Sequence, residues 1–158
     1  MLAVALALSL AAPPAAAAPL DIAAAYERLK ALEGSWKTDA RDGDVRFVRV
    51  RVVGGGAAVL ETTTEADRTA VTSMTVYARE GNELAVTHYS AAGVTRLKLR
   101  AADATSLTLD AAQKDGKLLG LSLGISEKEL IQEWTVRELG RETKQRVKLL
   151  REFVDTLK

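Results

Sequence analysis

The feature that most constrains this chain is a two-residue alternation sustained through most of its length. Leu97 and Leu99 stand opposite Arg96, Lys98 and Arg100, and Leu84, Val86 and His88 stand opposite Ala85, Thr87 and Tyr89. A period of two sends successive side chains to opposite faces of a strand, so each such run reads as a strand with one wet and one buried face. Similar runs occur at Val48 to Val52, Ala58 to Glu65, Val71 to Arg79, Leu107 to Asp110, Leu119 to Ile125 and Leu130 to Val136. Turn signals separate them: Gly54-Gly55-Gly56, Glu80-Gly81-Asn82-Glu83, Asp115-Gly116 and Gly140. The segment from Thr143 fits a strand through Val147 and Leu149, and a helix through Val147, Leu150, Val154 and Leu157; a strand followed by a short tail is the preferred reading.

One helix precedes the strands. Ile22, Tyr26, Leu29 and Leu32 recur at helical spacing behind a candidate N-cap, Asp21, and Gly34 follows the last of them. About nine or ten short strands with no intervening helices pair antiparallel, because parallel pairs need crossovers. The fold class is therefore all-β. An antiparallel up-and-down barrel with one short N-terminal helix is the most economical arrangement, since closure removes exposed edges; a two-sheet sandwich is the rival.

All three prolines lie in the first twenty residues, which carry no charge. The apolar run Leu2 to Ala12 is too short for a bilayer span of about 20 residues and has the length of a signal-peptide core. Ala16-Ala17-Ala18 supplies the small residues for cleavage, although no Lys or Arg precedes the run. The expectation is a signal peptide over 1–18, a single domain over 19–158, and a periplasmic or secreted location. Cysteine is absent, which excludes thiolate metal sites, disulfides and Cys nucleophiles. The 22 basic and 21 acidic residues are interspersed, so no basic patch in the sequence argues for nucleic acid. No stable membrane span, metal site or cofactor is expected, and the sequence leaves the oligomeric state open.

Leu32-Glu33-Gly34-Ser35-Trp36, then Gly55-Gly56 with Leu60-Glu61-Thr62, then Met74-Thr75-Val76-Tyr77, and finally Leu84 through Gly93 (LAVTHYSAAG) form an ordered set that ends near Glu133-Trp134-Thr135. In this order the motifs resemble the lipocalin-like, calycin-type small bacterial domains of unknown function, over about 120 residues. The resemblance implies a barrel with an interior cavity and supplies no reaction. It implies also that Trp36 packs across the closed end against a basic side chain from the last strands. The Cys common in the HY-C-AAG block is Ser90 here, and the Asn-Gln-Pro that often follows is reduced to Val94-Thr95. Nitrobindin-type haem barrels are similar in size and opening motif, but their haem ligand lies late in the chain, where this sequence has no His.

His88, the only histidine, falls on the apolar face and could contact a ligand, titrate near neutral pH, or simply be a satisfied core residue. Met74, with Val76 and Ala78, is read as inward by parity, and Trp134 shares a face with Leu130 and Val136. Ligand-binding candidates are therefore His88, Met74, Trp134, Val86 and Leu97. Tyr89 and Arg96 are read as outward. The carboxylate pairs Glu61 with Glu65 and Glu127 with Glu129 read as solvated, and no catalytic set assembles locally. The leading expectation is a barrel binding a small apolar or amphipathic ligand. Its rivals are an envelope interaction protein with a filled core, and an enzyme using His88 as a general base.

Overall fold

A strand with one apolar face must cover it, and here ten of them do so by closing on one another. In the computed structural model, which describes residues 21–39, 45–66, 69–113 and 116–152, the chain forms a helix and a closed barrel. The helix α1 spans Ile22–Ala31. The strands are β1 (Gly34–Thr38), β2 (Arg46–Val53), β3 (Ala58–Glu65), β4 (Val71–Glu80) and β5 (Glu83–Ser90). They continue as β6 (Gly93–Ala102), β7 (Ser106–Ala111), β8 (Leu118–Ile125), β9 (Glu129–Glu138) and β10 (Arg141–Glu152). Each strand pairs antiparallel with its sequence neighbours, and β1 pairs with β10 to close the cylinder. The up-and-down barrel with one short N-terminal helix agrees with the sequence reading, and the run from Thr143 is strand to Glu152. The leader and the last six residues lie outside the described residues.

Ten helical residues are marginal in isolation, so α1 depends on what it covers. The Asp21 carboxylate accepts from the Ala24 amide at 2.9 Å, which caps the first turn. Ala25, Tyr26 and Leu29 form its buried stripe. The Tyr26 hydroxyl donates to the Gly56 carbonyl at 3.0 Å, and Arg28 donates to the Asp103 carbonyl. Gly56 and Asp103 belong to the β2–β3 and β6–β7 connections, so the helix lies over the barrel end that these loops share. Gly54, Gly55 and Gly56 all have positive φ, which explains why that connection is three glycines.

The carboxyl end of α1 is fastened to the closing strands. Trp36 is fully buried, and its indole N–H donates to the Leu32 carbonyl at 2.9 Å. Arg151 lies over the Trp36 ring at 4.4 Å and donates to the carbonyls of Ala31, at 2.8 Å, and Glu33, at 3.2 Å. The guanidinium thus serves carbonyls that the helix end leaves unpaired. Behind this plug, Leu107, Leu109, Leu123, Leu130 and Leu149 fill the interior.

β8 carries a local irregularity between Leu118 and Gly120, so Leu118 and Leu121 both bury against the core. A Cβ on Gly120 would stand 2.9 Å from the Leu109 carbonyl oxygen, which is backbone and cannot swing away. Gly120→Ala is therefore expected to destabilise the barrel by about 1–3 kcal/mol. The check is a lowered urea midpoint with an unchanged m-value.

Candidate functional site

The register of the strands decides which side chains meet inside. Glu61 of β3 stands opposite Thr75 of β4, Thr75 opposite His88 of β5, and His88 opposite Thr95 of β6. These four inward positions make one polar row across the middle of the wall. The row nearer the plugged end, Val59, Tyr77, Val86 and Leu97, is buried and, apart from the tyrosine hydroxyl, apolar.

The polar row is hydrogen-bonded. Thr75 Oγ1 lies 3.0 Å from His88 Nδ1. Glu61 is buried and accepts from the Tyr77 hydroxyl at 3.2 Å and from Gln132 Nε2 at 2.9 Å. Gln132 belongs to β9, so this last bond crosses the barrel from one wall to the other. Above it, Trp134 is half-buried and its ring centroid lies 4.8 Å from that of His88, with the planes tilted by 48°. The tilt is intermediate between a stacked and an edge-to-face arrangement, at a centroid distance typical of interacting rings. Thr63, Ser73, Thr95 and Val136, on the side of the row away from the helix or level with it, are half-buried as well. Among the described residues, burial thus falls off from the plug toward the other end of the barrel.

Protonation follows from burial. Desolvation raises the Glu61 carboxyl, while its bonds from Gln132 and Tyr77 pull it back only in part. Burial first, and then the Glu61 charge, push the Tyr77 hydroxyl far up, so it stays a donor. Burial lowers His88, which favours the neutral imidazole. With Nδ1 engaged by Thr75, Nε2 has no hydrogen-bond partner among the described residues. It is the ring atom left for a bound molecule. No three His, Asp or Glu side chains gather as a metal site among the described residues.

The candidates named from the amino-acid pattern divide. His88, Val86 and Leu97 face the interior, with His88 8% exposed and the other two 2%. Trp134 lies beside His88. Met74 does not face inward. It stands on the outer wall between Thr62 and Tyr89, because Thr75 and Tyr77 take the interior positions of β4. Val76 and Ala78 are outside for the same reason. Glu61 corrects the expectation of a solvated carboxylate, whereas Glu65 and Glu127 are exposed and Glu129 pairs with Lys148 at 2.7 Å. Thr75, Tyr77 and Gln132 do not stand out in the sequence. The signal that finds the first two is the two-residue Gly81-Asn82 turn, which pairs Glu80 with Glu83 and so places Thr75 beside His88.

Scanned against protein-family models and against curated proteins, the chain matches none. The site therefore rests on its own geometry.

A raised carboxyl contributes stability in full below its unfolded value near 4.5, and the contribution is lost as pH rises through the folded value. Glu61→Gln keeps an acceptor for Tyr77 and cannot ionise. The variant is expected to be more stable than wild type at pH 8, by on the order of 1–3 kcal/mol, with the gap closing toward pH 4.5. Urea midpoints at the two pH values read this; a gap that widens on acidification would refute the assignment. His88 works in the other direction: its contribution is present above the ordinary value of 6.5 and is lost as pH falls through the lowered one.

Proposed function

We propose that this protein is an exported, lipocalin-like binding barrel that takes one small apolar or amphipathic molecule through its open end. The observation that carries the reading is the His88–Trp134 pair: a buried imidazole, whose neutral form burial favours, with Nε2 unpaired among the described residues, set beside a half-buried indole. A barrel of this size either fills with side chains or encloses one ligand. Near the plug it is filled, and the Glu61–Gln132 bond bridges its walls at mid-height. The binding volume in this reading is the cup above that bridge. A ligand's polar atom meets His88 Nε2, and its apolar body lies along Trp134, Val136 and the threonines of the rim. Nothing in the reading calls for a cofactor, and no reaction is assigned.

The same cross-barrel bond favours a second reading. A carboxylate satisfied by Tyr77 and Gln132 staples opposite walls together, as a filled core of an envelope interaction protein would require. Binding assays separate the two. Trp36 is sealed in the core whereas Trp134 lies at the cup, so a ligand should quench or shift only the Trp134 emission. Native mass spectra of protein purified from its host, and displacement of a lipophilic dye, give independent readouts. His88→Ala is expected to weaken dye binding about three- to tenfold through the lost hydrogen bond. A protein that carries no adduct, binds no dye and shows unchanged Trp134 emission would leave only the filled barrel. Export predicts a mature chain beginning at Pro19, which N-terminal sequencing of the secreted or periplasmic protein checks.

A further inference from the structure

The interior polar row carries its hydrogens in a definite order. His88 is the only histidine of the chain, and one of its ring nitrogens has a hydrogen-bond partner while the other has none among the described residues. Nδ1 lies 3.0 Å from Thr75 Oγ1, and by type either of these atoms can be the donor. Burial favours the neutral ring, in which only one nitrogen bears a proton. Which nitrogen that is depends on where Thr75 sends its own proton.

The order is set at Glu61. Its carboxyl is buried, with Oε1 accepting from Gln132 Nε2 at 2.9 Å and Oε2 from the Tyr77 hydroxyl at 3.2 Å. The one proton of Tyr77 is therefore committed to Glu61. The phenol oxygen keeps its lone pairs, and the Thr75 hydroxyl, two residues away on the same face of β4, donates to it. That commits the one proton of Thr75, so Thr75 Oγ1 meets the imidazole as an acceptor. The hydrogen between them is then the ring's own, on Nδ1. Thr95, the inward residue on the other side of His88, makes no hydrogen bond to the ring among the described residues. Every bond in this chain points the same way, from His88 through Thr75 and Tyr77 to the carboxyl, and bonds aligned in this manner reinforce one another.

We propose that Glu61, Tyr77 and Thr75 are positioning residues that hold His88 as its Nδ1–H tautomer, so that Nε2 is a bare acceptor and selects a ligand that donates to it: an alcohol, a phenol or an amide N–H on an apolar body. This deepens the interior-binding reading and rests on it. A carbonyl or ether oxygen brought to the same atom sets two acceptors against each other with no proton between them. A buried polar atom left unpaired costs more than a hydrogen bond returns, so the site discriminates by rejection as well as by attraction. Trp134, whose ring centroid lies 4.8 Å from that of His88, supplies apolar surface beside the acceptor. The carboxyl thus governs the recognising atom without touching the ligand.

Nitrogen NMR of the single imidazole at pH 8 reads the tautomer on the free protein. Nδ1 should give a pyrrole-type resonance and Nε2 a pyridine-type one. Thr75→Val removes the oxygen that faces Nδ1, and Tyr77→Phe frees the Thr75 proton to be given to Nδ1. Both variants should move the ring toward Nε2–H, with the far-ultraviolet dichroism of the barrel retained. Ligand class is read by displacing a lipophilic dye with decanol, against decanone and methyl nonyl ether, which match it in length and only accept. Decanol should bind wild type about three- to tenfold more tightly than either. The three should bind Thr75→Val alike, because Nε2–H donates to all of them. A pyridine-type Nδ1 in the wild type, or wild-type binding that is equal for the three or favours decanone, would overturn the proposal. If none of the three displaces the dye, the ligand class falls together with the interior-binding reading. The tautomer, read without ligand, tells that failure apart from a wrongly assigned hydrogen-bond chain.

Discussion

The seam between β1 and β10 is the contact on which the rest of this molecule depends. β1 has five residues and must hold β2 on one side and β10 on the other. So short a strand offers few ladder bonds. The deficit is made up by side chains: Trp36 from β1 donates to the helix end, and Arg151 from β10 covers the indole and holds the Ala31 and Glu33 carbonyls. One cluster therefore closes the cylinder, ends the helix and seals one mouth. Without the seam the sheet would have two open edges, and its apolar face would lack a far wall to pack on.

Sealing one end sets a gradient through the interior. Beneath α1 the side chains are chiefly leucine, valine and tryptophan; at mid-height they become Glu61, Thr75, His88 and Gln132; toward the other end they are half-buried. A buried carboxyl is tolerable there because two donors reach it, one of them from across the barrel. Its raised affinity for a proton and the lowered affinity of His88 have the same origin, desolvation acting on groups of opposite charge type. Each favours the neutral form of its group, which suits a region that apolar matter also occupies.

The barrel was legible because alternation needs no tertiary knowledge: Arg96 to Arg100 and Leu84 to His88 announce their faces outright. The helix was legible from Asp21 and the 3.6-residue spacing. The interior polar row was harder, since β3 and β4 carry apolar residues on both faces. Val76 and Met74 look as suited to a core as Thr75 and Tyr77 do, and a period of two then has no preferred phase. The phase was nonetheless available from the turn. Placing His88 inward and closing the hairpin on Gly81-Asn82 forces Thr75 inward and Met74 outward. Glu61 then follows from Thr75 by one more register step. No such step reaches Gln132, which meets Glu61 only because the cylinder brings β9 opposite β3.

The same register makes the two faces of this wall interdependent. Glu61, Thr75 and His88 line the interior, and their chain neighbours Thr62, Met74 and Tyr89 form the outer row directly behind them. A one-residue slip in any of these pairings would exchange the two sets, sending a carboxyl to solvent and a methionine to the interior. The pairing that sets the interior polar row therefore also fixes the outward row. It holds Arg49, Tyr89 and Val94 in line with one another on the outer face. A surface of that kind is built by strand pairing rather than by loops, so its geometry is as rigid as the barrel itself.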